Sequence, residues 1–111
     1  MDDNSWWFEN RKVEMENGKY VFYHGTRVPL ENLNGVIRKG SLLEHSPEEA
    51  ATWGDTNFFN KKNRKMRVFK IFVDPDQIVT GHWASLKNDY PISQTKIINV
   101  KKVDDQWHVI P

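Results

Sequence analysis

The stretch Tyr20-Val21-Phe22-Tyr23-His24-Gly25-Thr26-Arg27 holds the densest set of groups that could do chemistry. An aromatic and β-branched run ends in an imidazole, a glycine, a hydroxyl and a guanidinium. As a strand it sends Tyr20, Phe22 and His24 to one face, and Val21 and Tyr23 to the other. Gly25 permits a sharp turn or the close approach of a ligand to the backbone. An imidazole at the end of a buried strand stands where ligand sites often lie in α+β folds. The same pattern fits a histidine that caps a hydrophobic strand and bonds locally. His45, His82 and His108 add no i, i+4 spacing and no cysteine partner, so no metal site is expected. No Gly-x-Ser-x-Gly elbow marks a serine nucleophile.

A second chemically loaded stretch is basic. Lys61-Lys62-Asn63-Arg64-Lys65 follows Phe58-Phe59. It reads as a solvated loop, or else as a phosphate or nucleic-acid contact in which the phenylalanines stack on bases. The formal net charge of +1 supplies no global field toward nucleic acid or a membrane. The absence of cysteine excludes a disulfide framework, a cysteine nucleophile and a cysteine-ligated zinc. At 111 residues the chain has room for one core and one domain. Aromatic residues make up 13% of the chain, five of them tryptophan, so large rings must supply much of its burial. The start Met1-Asp2-Asp3-Asn4-Ser5 lacks the basic and apolar regions of a signal peptide. No apolar run approaches the ~18 residues of a membrane span. A cytoplasmic protein with no membrane contact is expected.

These groups need elements to position them. Trp6-Trp7-Phe8 reads as a plug for the core or a partner contact. Lys12 to Glu16 alternates as a half-exposed strand, and Asn17-Gly18 predicts a tight hairpin into the aromatic strand. Leu30, Leu33, Val36 and Ile37 recur at helical spacing, weakened by Asn34-Gly35, with Gly40 as the stop. Ser41 to His45 reads as a short strand. Ser46-Pro47-Glu48-Glu49 starts a helix with a serine cap, a proline at the first position and a glutamate three residues after the cap. Ala50, Ala51 and Trp53 continue it and Gly54 ends it. Arg67 to Val73 is the central strand, broken by Asp74-Pro75-Asp76. Gln77 to Val79 is a short turn or helix, and Gly81 to Asp89 is irregular. Lys96 to Val103 and Gln106 to Ile110 form a last strand pair around Asp104-Asp105. The expected architecture is α+β, with small mixed or antiparallel split sheets and two short helices.

The order of these elements resembles the ADP-ribosyltransferase fold, in particular its small bacterial and phage members, toxin-like or anti-defence in type, with a histidine in the first motif. Tyr23-His24-Gly25-Thr26 resembles the first motif, which holds the ribose and amide of NAD. Gly40 to Ala50, with Ser46 and Pro47-Glu48-Glu49-Ala50, resembles the second, where a helix packs behind the nicotinamide. Val68 to Val79 resembles the central strand with its Asp-Pro turn. Tyr90-Pro91-Ile92 through Ile97-Ile98-Asn99-Val100 resembles the late strand. The resemblance covers residues 20–103, after an N-terminal segment 1–19 and before a final strand in 104–111.

This resemblance implies NAD as substrate, in a cleft between two small sheets. The backbone at Gly25 would meet the carboxamide, and His24 would donate to the adenosine ribose. Arg27 would meet the pyrophosphate or serve as surface charge. The implied NAD-binding set is Tyr23, His24, Gly25, Thr26, Arg27, Leu43, Ser46, Trp53 and Phe59. Leu43 stands where the family often carries a stacking tyrosine. Residues 81–89 lack the family's third-motif glutamate. Asp89 is the only carboxylate there, and Glu44 is the other candidate, so the implied catalytic set is His24, Glu44 and Asp89. Losing one electrostatic stabiliser costs ~3–4 kcal/mol, enough to separate a transferase from a binder. Three functions therefore follow. The first is ADP-ribose transfer to a protein or nucleic-acid acceptor. The second is a non-catalytic module for NAD, an ADP-ribose-type nucleotide or a protein. The third is nucleic-acid binding through residues 61–65.

Overall fold

The two longest apolar patterns of the chain pair with each other. In the computed structural model, which describes residues 8, 10–56 and 64–111, strand β2 (Lys19–Thr26) lies antiparallel to β5 (Arg67–Val73). Phe22 faces Ile71 and His24 faces Phe69 across the ladder. β1 (Met15–Glu16) flanks β2, and β9 (Lys96–Ile98) flanks β5, giving the order β1-β2-β5-β9. The β1–β2 turn is Asn17-Gly18, both at positive φ (52° and 79°), as a two-residue hairpin requires.

The alternation along β2 divides the core in two. Phe22, Phe69, Ile71 and Val73 face a cluster completed by Phe8, Ile37, Leu43, Ile78, Ala84, Leu86 and Tyr90. That layer consists of two small antiparallel sheets. One pairs β3 (Val36–Ile37) with β8 (Tyr90–Pro91). The other has the order β4-β7-β6, with β4 at Leu42–Leu43, β6 at Ile78–Val79 and β7 at Ala84–Leu86. Val21, Tyr23 and Val68 face the opposite way, onto Ala50 and Ala51 of helix α1 (Pro47–Thr56). Trp107 packs there too, from the hairpin of β10 (Val100–Val103) and β11 (Gln106–Val109). The chain is thus an α+β domain of several small antiparallel sheets around one well-paired central ladder. Among the described residues, no helix is long and apolar enough to cross a membrane.

Several local expectations are corrected. Of the two helices expected before the central strand, only α1 forms. Leu30–Asn32 is a single 3-10 turn, and Asn34 and Gly35 both take positive φ (56° and 78°), which ends any helix. Val36 and Ile37 then pair with Pro91 and Tyr90 as a strand. Gly54 does not stop α1, which runs on to Thr56. Among the described residues all strand pairings are antiparallel, so the mixed alternative falls away. Residues 81–89 contain β7, and Ile78–Val79 is a strand rather than a helix. Lys96 to Val103 splits at Asn99 into β9 and β10, which belong to different sheets. Phe8 is buried and stacks on Tyr20 at 4.0 Å between ring centroids, as a core plug should. Trp6 and Trp7 lie outside the described residues.

Candidate functional site

The end of β2, the start of β4 and the body of α1 converge on one cleft of about 530 Å³. Two close backbone contacts build it. The first joins β2 to β4. Tyr23 N donates to Glu44 O at 2.9 Å, and Glu44 N donates back to Tyr23 O at 2.8 Å. This bridge sets Glu44 beside the aromatic strand. The second joins β2 to α1 through two glycines. A Cβ built on Gly25 would lie 2.2 Å from Ala50 O, and one built on Gly54 would lie 2.6 Å from Gly25 O. The helix can approach the strand only because both side chains are absent. Gly25 does line the cleft, but what requires a glycine there is α1, not a ligand.

His24 enters the cleft with one nitrogen already committed. Its Nδ1 lies 2.9 Å from Leu42 O. A carbonyl only accepts, so Nδ1 carries the proton. Burial lowers the pKa of the ring below its usual 6.5 and outweighs the Leu42 bond, which favours the charged form. The neutral ring therefore offers Nε2 as an acceptor. That reverses the donor role the family resemblance implied for it.

Glu44 is the electrostatic anomaly of the site. It is 8% exposed, and its Oε1 has no hydrogen-bond partner among the described residues. Burial pushes its pKa up to about 7, helped by the negative charge of Glu49 on α1. A buried, unpartnered carboxyl lining the same cleft as a neutral imidazole can accept from, or neutralise, whatever enters. Trp53, on α1, is 53% exposed and lines the same cleft, so its ring is a stacking surface. Leu33, Ile37 and Leu42 supply apolar wall.

The expected site residues separate accordingly. His24, Gly25, Thr26, Glu44 and Trp53 meet at the cleft. Thr26 Oγ1 accepts from Val28 N at 3.0 Å, closing the turn after β2. Tyr23 points to the other face, where its hydroxyl donates to Glu14 Oε1 at 3.1 Å. Burial and Glu14 raise its pKa to about 12. Leu43 is a core residue. Ser46 caps α1, its Oγ accepting from Glu49 N at 3.1 Å. Arg27 is buried, with Nε 2.9 Å from Asp55 Oδ1 and Nη1 donating to Arg64 O. It is internal and does not line the cleft. Asp89 accepts from Lys39 N at 2.9 Å and does not line the cleft. Phe59, Phe58 and Lys61 to Asn63 lie outside the described residues. Among the described residues, no group of histidine, aspartate or glutamate side chains could hold a metal. Asn32, Arg38 and Ser41 also line the cleft, unanticipated from sequence because Asn32 and Arg38 fall in a segment with helical spacing and Ser41 opens a stretch that reads as a short strand with no ligand signal of its own. The chain matches no protein-family model, no curated protein and no solved structure.

Proposed function

We propose that this cleft binds NAD and breaks its nicotinamide–ribose bond, passing ADP-ribose to a protein or nucleic-acid acceptor. The observation that carries the reading is the pair at its wall: His24 with Nε2 open as an acceptor, and Glu44 with a buried, unpartnered oxygen. A ribose hydroxyl is the donor that suits Nε2. The nicotinamide ring suits Trp53. On cleavage, the C1′–N1 electron pair leaves with nicotinamide and C1′ becomes an oxocarbenium ion. The Glu44 carboxylate stabilises that cation. The acceptor's nucleophile then bonds to C1′ and gives up its proton, which a carboxylate of pKa about 7 can take. Glu44 does its work ionised, so turnover rises as pH passes through about 7.

The test is nicotinamide release from NAD by wild type, His24→Ala and Glu44→Gln, with and without cell extract. Release by wild type that falls about 100-fold in Glu44→Gln supports the reading. Dependence on extract identifies transfer rather than hydrolysis. Absence of release under every condition sinks the catalytic claim.

One observation favours a second reading, the non-catalytic binder. Among the described residues Glu44 is the only carboxylate lining the cleft, so a second acid to activate an acceptor is lacking. On that reading NAD raises the thermal midpoint of wild type but not of His24→Ala, and nicotinamide never appears.

A further inference from the structure

The cleft carries one residue that the reading above leaves unused. Arg38 follows β3 and lines the same cavity as Glu44. It is exposed and joins no ion pair among the described residues. A guanidinium and a buried carboxyl thus share one cleft without pairing to each other. Glu44 lost its hydration when it was buried and gained no hydrogen bond at Oε1 in exchange. Arg38 keeps its planar, five-donor fork, which fits phosphate oxygens two at a time. A ligand that satisfies both must bring an anion to one position and a cation or donor to the other. NAD is such a molecule, with an anionic diphosphate and a cationic nicotinamide ring. Arg27, the cation nearest to the histidine in sequence, is already bound to Asp55.

We infer that Arg38 is the anion contact of the cleft, binding the diphosphate of a dinucleotide ligand and so setting its preference for phosphate-bearing molecules. The assignment of a diphosphate rests on the NAD reading; the assignment of an anion to Arg38 does not. Arg38→Ala leaves the fold unchanged, because the side chain is exposed and unpaired. Wild type, Arg38→Ala and Arg38→Lys are titrated by calorimetry with NAD, inorganic pyrophosphate and nicotinamide riboside, with thermal midpoints as the folding control.

The expected result is that Arg38→Ala weakens NAD and pyrophosphate at least tenfold while nicotinamide riboside is untouched. Arg38→Lys recovers part of the loss, since it restores the charge without the fork. If wild type binds pyrophosphate through Arg38 but does not bind NAD, the anion contact stands and the NAD reading falls. If NAD binds wild type and Arg38→Ala alike, or if wild type binds neither NAD nor pyrophosphate, the assignment of Arg38 is overturned.

Discussion

Glu44 sets the chemistry available at the scale of a single residue. A carboxyl with a folded pKa of about 7 and an ordinary value of 4.5 holds its proton more tightly folded than unfolded. Its contribution to stability is complete below about 4.5 and is lost as pH rises through about 7. Above that pH the folded protein carries a penalty of ~3 kcal/mol for ionising a group that nothing pairs. Glu44→Gln removes the titration, so its thermal midpoint gains on wild type as pH rises from 4.5 to 8. Melting curves of both proteins across that range check this, and a constant difference would refute it. His24 acts in the opposite sense. Its lowered pKa makes the fold less stable as pH falls below 6.5, and comparing the two proteins at each pH cancels that contribution. Function and stability therefore pull against each other at Glu44. On the proposed reading, the ionisation that would serve an oxocarbenium ion is the one that weakens the fold.

The cleft depends, at the scale of elements, on how closely α1 crosses β2. The contact between Gly25 and Gly54 fixes that distance, and α1 brings Trp53 to the cleft that His24 also lines. Gly25→Ala puts a Cβ against the Ala50 carbonyl at 2.2 Å, and backbone rather than a flexible side chain must move. We expect a cost of about 3 kcal/mol in denaturant unfolding, the upper end of overpacking penalties. Gly81→Ala, with nothing within 4 Å, should stay within about 0.5 kcal/mol of wild type. Equal stabilities would show that the strand–helix distance is adjustable. Much of this element frame was legible in the sequence. Asn17-Gly18 marked its hairpin because two successive positive-φ residues suit few other turns. Ser46-Pro47-Glu48-Glu49 marked the start of α1 because capping is local. The end of α1 escapes local rules for the same reason. Gly54 looks like a stop to local rules, but it is there for a strand 29 positions away in sequence by count from Gly25. Val36-Ile37 carries helical spacing yet pairs as a strand, because its partner, Tyr90-Pro91, lies far along the chain.

At the scale of the whole molecule, one buried charge cluster ties the C-terminal hairpin to the rest. Asp55, near the end of α1, receives Arg27 Nε at Oδ1 and Lys102 Nζ at Oδ2, each at 2.9 Å. Both cations also lie over the Trp107 ring, at 5.4 and 5.8 Å from its centroid. Arg27 continues the chain of contacts to the carbonyl of Arg64, just before β5. The end of β2, the helix, the approach to β5 and the last hairpin thus meet at one carboxylate. No sequence pattern announces such a cluster, since its members come from four separate stretches and each alone reads as surface charge. Arg27 was placed by its neighbour His24 for this reason, and the structure gives it to Asp55 instead. Burial alone would raise the pKa of Asp55, but the bonds from Lys102 and Arg27 outweigh it and hold the carboxyl down at about 2. Its contribution, of ~2 kcal/mol, is present above the ordinary value of 3.8 and lost as pH falls through about 2. Removing the carboxylate takes away the anion paired with Arg27, whose side chain is only 9% exposed, whereas removing Lys102, at 39%, leaves Asp55 its bond from Arg27. Asp55→Ala should therefore cost ~3–5 kcal/mol at pH 7, and Lys102→Ala no more than ~1 kcal/mol. Denaturant unfolding of the two variants decides the point. A similar small loss in both would mean that the hairpin is held by the packing of Val100 and Trp107, and a large loss in Asp55→Ala alone would make this carboxylate the joint between the hairpin and the rest of the fold.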